Sequence, residues 1–227
     1  MTARPVAEIT TRQRREMLDG LFSTVVVLLA AVVVGYLVAA HSQGLLHNKM
    51  LPWILSRSLG LASYVCLSAL VLVGIWYRHP WRTPRRAPGP QTLLRAHACL
   101  AAGTLMLLAG HVVAIALDHY AGVGWGGVFV PGHAAYRPTA TALGTVAMYG
   151  ILLVASTAAL AGSIGRRVWL PIHAFSAALF ALCLAHGLLA GSDSNVLWAL
   201  YVVTGGLVLT LQVTKLTARP VELAETW

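Results

Sequence analysis

Charged residues are scarce in this chain: they make up 10% of its 227 residues, whereas hydrophobic residues make up 58%. A soluble domain uses roughly 25% charged residues to cover its surface. Acidic residues are the rarest, with seven Asp and Glu against sixteen Lys and Arg. The shortage of charge excludes an ordinary water-soluble globular protein and predicts that most of the chain faces lipid.

Cysteine is also rare, with three residues at positions 66, 99 and 183. All three fall within apolar runs, and no two of them form a CxxC pair. The sequence therefore offers neither a disulfide framework nor a thiolate metal site, and the cysteines are interpreted as small apolar side chains.

Long polar linkers are missing as well. Six apolar runs follow one another, each close to the 20 or so residues that cross about 30 Å of hydrocarbon. The sequence predicts an all-α membrane protein: a six-helix transmembrane bundle over 21–214, a segment 1–20 before it and a tail 215–227 after it. The predicted spans are 21–40, 52–76, 96–117, 139–162, 169–190 and 195–214.

The basic residues are distributed unevenly between the two sides of these spans. Thirteen of the sixteen lie in the N-terminal segment, the second and fourth connections and the tail. Because Lys and Arg mark cytoplasmic loops, both termini are predicted to be cytoplasmic. No nucleic-acid partner is predicted, since the clusters mostly lack interleaved aromatics. The basic connection 78–95 suits either an acidic flavoprotein or anionic lipid.

Four of the nine histidines lie inside predicted spans, at positions costly for a polar side chain. His97 and His111 are fourteen positions apart in 96–117, and His173 and His186 are thirteen positions apart in 169–190. A helical rise of 1.5 Å places the members of each pair about 21 Å and about 20 Å apart along their helices. Both spans begin on the cytoplasmic side, which puts His97 level with His173 and His111 level with His186.

Two neutral imidazoles that face each other suit the axial positions of a haem iron. The near-equal spacings favour two stacked haems over zinc, which requires three or four ligands about 2 Å from one point. Fourteen residues of ideal helix return to within about 40° of the starting face, whereas thirteen end about 140° away. The span 169–190 is therefore expected to distort, or its histidines to approach from different flanks.

These residues carry a resemblance to a known family. The segments "RAHACLAAGTLMLLAGH" from Arg95, "WLPIHAFSAALFALCLAHGLLAGSDS" from Trp169 and "VPGHAAYRPTATALGTVAMYGILLVAST" from Val130 resemble the ferric reductase-like transmembrane domain family. That family includes NADPH oxidases, ferric reductases and the haem-bearing membrane subunit of bacterial methionine sulfoxide reductase. The resemblance covers roughly residues 50–195.

The resemblance implies two b-type haems in a multi-pass subunit of an oxidoreductase in the bacterial inner membrane. Electrons would enter at His97 and His173 on the cytoplasmic side and leave from His111 and His186 on the outer side. No GxGxxG fingerprint follows a predicted strand, and only the short segment 215–227 follows Thr214. A separate flavin reductase or a quinol is therefore the expected donor. An extracytoplasmic redox protein, such as a methionine sulfoxide reductase, or a ferric chelate is the expected acceptor.

Three further residues are candidates for roles beside the haems. Haem propionates need cations or amide donors, and the candidates are Arg57 for the outer haem and Arg95 for the inner one. Arg57 could instead snorkel to a headgroup, and Arg95 could be ordinary positive-inside charge. Phe180, midway between His173 and His186, is either an electron relay or simple packing.

Two other readings of the four histidines remain open. One is a small non-redox permease that uses them for proton relay. The other is a quinol-oxidising dihaem cytochrome b whose ligands are distributed over four helices. The haem content of the purified chain distinguishes the permease from an electron conduit. The pairing of the histidines distinguishes the cytochrome with four ligand-bearing helices from a conduit with two.

Overall fold

A computed structural model describes residues 48–82, 89–192 and 194–218. The segment 1–20, the predicted span 21–40 and residues 219–227 of the tail lie outside the described residues. The contacts reported below belong to the compact unit that begins at Pro52. Within the described ranges the chain is helical, and no strand occurs there.

The described helices are eight in number, and three of them are short. The boundaries follow the sequence locally: α2 and α4 each begin on a proline, which is well suited to the first helical position because the missing N–H would be unpaired there. The helices are α1 (Leu51–Tyr77), α2 (Pro90–Ala116), α3 (Gly124–Phe129), α4 (Pro138–Ala159), α5 (Ala161–Ile164), α6 (Arg166–Ala174), α7 (Ser176–Ala190) and α8 (Ser194–Thr217).

Five of these elements are long and apolar enough to cross a membrane: α1, α2, α4, the continuous pair α6–α7, and α8. Each of the five coincides with a predicted span, although α2 begins one to two turns earlier than expected. Large apolar side chains such as Met106, Leu153 and Val202 are exposed on them, as expected of surfaces that face lipid. The structure supports a multi-pass membrane protein.

The closest helix packing involves α4, which lies along both α6 and α7, while α7 also packs against α8. The loop before α4 holds the end of α7, where helix carbonyls lack partners. Tyr136 donates its hydroxyl to the Ala190 carbonyl at 3.0 Å, and Arg137 donates Nη1 to the Leu189 carbonyl at 2.6 Å. Among the described helices, α2 makes no comparably close backbone approach to α6 or α7.

The helix that carries His173 and His186 is interrupted between them. The α-helical pattern stops at Phe175, whose N–H bonds to the Ile172 carbonyl at 3.1 Å in a 3₁₀-type turn. Pro171 lies one turn earlier and removes another helical hydrogen bond. A 3₁₀ turn adds about 20° of rotation per residue relative to an α-helix. The sequence predicted either a distorted helix or histidines that approach from different flanks, and the structure shows the helix interrupted between the two histidines.

The connection between α2 and α4 packs as a small cluster of its own, built on Ala116, Val123, Val128 and Ala134. Within it, "GVGWGG" matches the letters of a dinucleotide fingerprint. It leads into a helix of only six residues and follows no strand, so it lacks the strand–turn–helix context of such a site.

Candidate functional site

The structure brings together the histidines that the sequence places at the same level. His97 on α2 and His173 on α6 have ring centres 6.0 Å apart and ring planes inclined at 61°. Trp169, one turn before His173 on the same helix, meets that ring edge-on at 5.5 Å. These two histidines are called the 97/173 pair.

The second pair lies farther along the same helices. His111 on α2 and His186 on α7 have ring centres 6.4 Å apart and ring planes inclined at 73°. They are called the 111/186 pair. Two separate layers of paired imidazoles therefore bridge the space that α2 leaves beside α6 and α7.

The separation of the rings fits two ligands of one metal ion. A histidine nitrogen lies about 2 Å from a metal it binds, and its ring centre about 1 Å farther, so two rings on opposite sides of one ion have centres about 6 Å apart. Simple aromatic contact spans about 4.5–7 Å and gives similar values. The distance is therefore compatible with shared metal binding and with simple aromatic contact. The hydrogen bonds of the rings distinguish these two possibilities better.

Both rings of the 111/186 pair are held by backbone carbonyls. His111 Nδ1 lies 2.7 Å from the Ser56 carbonyl oxygen, and His186 Nδ1 lies 2.7 Å from the Ala140 carbonyl oxygen. A carbonyl only accepts, so each Nδ1 carries the proton and each Nε2 keeps a lone pair on the other side of its ring. Metal-bound histidines show this arrangement almost always, because the second hydrogen bond fixes the tautomer and the orientation of the ring.

The 97/173 pair is held less firmly. Neither Nδ1 has a hydrogen bond among the described residues, although both atoms are buried. Buried polar atoms without partners are uncommon in native proteins, so the two layers differ in how their rings are fixed.

A cavity of about 530 Å³ opens at the 111/186 pair and is lined by both of its histidines. Small-molecule and cofactor sites fall in the range of about 300–1,000 Å³. The lining is mainly apolar, with a few polar groups from α1. The donor set, the ring separation and the space at this pair fit a planar cofactor with a metal at its centre.

Metal sites built from protein ligands alone are not supported by the described residues. No group of three or more His, Cys, Asp or Glu side chains comes together there. A pair of histidines is sufficient for an iron whose four other ligands are the nitrogens of a porphyrin.

The two predicted arginines differ in placement. Arg57 lines the cavity of the 111/186 pair, and its guanidinium lies 5.4 Å from the centre of the Trp53 ring. Arg95 is exposed and precedes His97 by two residues on α2. Residues two apart on a helix do not share a face, so Arg95 and His97 point to different sides of α2.

Phe180 lies in the centre of the bundle and is 2% exposed. Its ring stacks on Tyr64 with centres 5.9 Å apart, and Tyr64 in turn contacts Tyr201 at 5.1 Å. The Tyr64 hydroxyl is hydrogen bonded to Thr204, which satisfies its polar atom. The sequence analysis named Phe180 as a candidate but did not name the two tyrosines. Their positions inside apolar runs were the only sign in the sequence that they could be buried beside it.

Sequence reasoning also missed the groups that orient the 111/186 pair. These are main-chain carbonyls of Ser56 and Ala140, and a carbonyl leaves no mark in the residue type. Ser56 gives a weak hint, since it is a buried serine in an apolar run and its Oγ lies 3.2 Å from His111 Nδ1.

Comparisons of the sequence with family models, with curated proteins and with solved structures find no match. The function is therefore inferred from the histidine pairs and their surroundings.

Proposed function

We propose that this chain is a transmembrane electron conduit that holds two b-type haems, each between two histidines. The 97/173 pair would hold one haem and the 111/186 pair the other. The observation that carries the proposal is the presence of two layers of paired imidazoles on the same helices, fourteen positions apart on α2 and thirteen on α6–α7.

The residues of the chain would bind, orient and shield the two cofactors. The carbonyls of Ser56 and Ala140 hold the Nδ1 protons of the 111/186 pair, which keeps each Nε2 available as an axial ligand. Apolar helices exclude water from both layers. When bound, the haems supply one-electron carriers whose iron changes between ferric and ferrous states.

The direction of transfer and the partners belong to the same proposal. The resemblance to ferric reductase-like proteins favours entry at the 97/173 pair from a cytoplasmic flavin reductase or a quinol. Exit would be from the 111/186 pair to an extracytoplasmic redox protein or a ferric chelate. Entry from the cytoplasmic side goes with the predicted topology. In that topology six spans cross the bacterial inner membrane and both termini lie in the cytoplasm.

A reduced-minus-oxidised absorption spectrum of the purified chain tests the proposal directly. We expect the bands of a low-spin b-type cytochrome and two haems per chain by pyridine haemochrome assay. The inclined ring planes also predict a ferric EPR spectrum with the large g anisotropy of crossed axial imidazoles. A colourless protein after expression with ample haem would rule out the conduit and leave the proton-relay permease.

Arg57 is expected to raise the midpoint potential of the haem at the 111/186 pair. Its positive charge beside the cavity favours the ferrous form, which carries one positive charge fewer. Replacement by Gln should lower the midpoint potential of this haem by about 60 mV, equivalent to a tenfold change in a one-electron equilibrium. Replacement by Lys should keep most of the potential. Equal potentials in the wild type and the Gln variant would show that Arg57 does not act on the haem.

A further inference from the structure

Three of the four paired histidines rest against glycines of neighbouring helices. A Cβ atom built on Gly60 of α1 would lie 2.8 Å from His111 Nδ1, and one on Gly144 of α4 would lie 2.6 Å from His186 Nδ1. A Cβ atom on Gly74 of α1 would lie 3.0 Å from His97 Cε1. Real Cβ atoms essentially never come closer than 3.0 Å to such neighbours, so the first two positions exclude any side chain.

Gly60 and Gly144 each stand four residues after the carbonyl that binds the same histidine. Gly60 follows Ser56, and Gly144 follows Ala140, whose carbonyls accept the Nδ1 protons. Gly74 lies against the His97 ring, whose Nδ1 has no hydrogen bond among the described residues. The same three-part arrangement of carbonyl, glycine and histidine therefore occurs on two different helices.

Helix geometry explains why the glycine must be at that position. The carbonyl of one residue accepts the N–H four residues later, and the side chain of that later residue leans back over the turn that contains the carbonyl. A glycine leaves the second lone pair of the oxygen open from the side. The imidazole can then reach the carbonyl and share it with the helix.

The spacing of the glycines matches that of the histidines. The interval from Gly60 to Gly74 on α1 equals the interval from His97 to His111 on α2. Gly60 lies against His111 and Gly74 against His97, as two antiparallel helices in one register require. His173 is the exception among the four histidines, because no described glycine has its ring among its nearest neighbours.

We propose that Gly60, Gly74 and Gly144 are positioning residues: Gly60 and Gly144 each open a helix carbonyl to the Nδ1 proton of a haem-binding histidine, and Gly74 leaves room for the ring of His97. This inference rests on the proposed function. Gly60 and Gly144 serve the haem of the 111/186 pair, and Gly74 serves the haem of the 97/173 pair.

Single alanine substitutions test the assignment, with the haem-free sites of His111→Ala and His97→Ala as spectral references. Gly60→Ala and Gly144→Ala should each lose the haem that His111→Ala loses and keep the other. Gly74→Ala should disturb only the haem that His97→Ala loses, and more mildly, because its contact is longer. Gly103→Ala and Gly206→Ala are matched controls in membrane helices, since an added Cβ there meets nothing within 4 Å.

Two results would overturn the inference while leaving the proposed function in place. One is wild-type haem content, EPR spectrum and potentials in Gly60→Ala and Gly144→Ala. The other is an equal loss of both haems, which indicates general unfolding rather than positioning. If Gly144→Ala does not accumulate, the milder Gly74→Ala decides by the same criteria. A wild-type chain without haem overturns the proposed function, and this inference with it.

Imidazole rescue gives a second test in a shared background. The variant His111→Gly should recover its haem when free imidazole is added, because the ligand can occupy the space of the missing ring against Gly60. Rescue should fail in the double variant His111→Gly with Gly60→Ala, where the methyl group fills that space. Equal rescue in both variants would contradict the role of Gly60.

Discussion

Replacement of His111 or His186 by alanine is expected to remove the same single haem, and replacement of His97 or His173 should remove the other. Each ring pair has a separation suited to one iron, so losing either member leaves that iron with one axial protein ligand. The haem-to-protein ratio should fall from two towards one in each variant. The remaining spectrum should be identical within a pair and different between pairs.

His119 and His133 provide matched controls for these substitutions. Both are exposed in the connection between α2 and α4, and neither belongs to a pair, so their alanine variants should retain both haems. Loss of different haems on substituting His111 and His186 would contradict the assigned pairing. That result would favour ligands distributed over more helices.

The second large effect is expected on electron transfer across the membrane. In vesicles that hold the purified chain and an internal reductant, an impermeant ferric chelate outside should be reduced at a measurable rate. His97→Ala and His111→Ala should each lower that rate to the level of vesicles without protein. The two sites are about 21 Å apart along α2. When one site has lost its haem, electrons must therefore tunnel over a much longer distance.

The vesicle experiment distinguishes a series of two sites from a single sufficient site. If His97→Ala keeps the wild-type rate while His111→Ala abolishes it, the 97/173 pair is not on the route. The control His119→Ala should transfer electrons at the wild-type rate, and a low rate in vesicles without protein verifies that the vesicles are intact. Reversal of the reductant and the chelate tests the proposed direction with the same preparation.

The parts of the fold that depend on composition and spacing could be predicted from the sequence. Long apolar runs identified the five described spans because the bilayer demands length and apolarity. The sixth, 21–40, lies outside the described residues and stays a prediction. The spacing of His173 and His186 predicted a distorted helix or an approach of the two rings from different flanks, and the turn at Phe175 lies between them.

The parts of the site that depend on the main chain could not be predicted in the same way. Carbonyls of Ser56 and Ala140 orient the second pair, yet every residue has a carbonyl, and only packing decides which one is reached. Gly60 and Gly144 carried a signal in their distance from these carbonyls, but that signal has meaning only once the helix register is known. The role proposed for Arg95 stays a prediction, with the residue exposed and directed away from His97.

Under the proposed function, the lack of a close backbone approach between α2 and the described helices α6 and α7 has a consequence for biogenesis. A haem held by histidines of α2 and of α6 or α7 would connect those helices, and a ligand that binds only the folded state stabilises it by an amount that grows with the logarithm of its affinity. The chain should then mature only as fast as the cell delivers porphyrin iron. Copies that miss it would present a loose α2 to membrane quality-control proteases, so haem supply would set how much of the protein a cell retains.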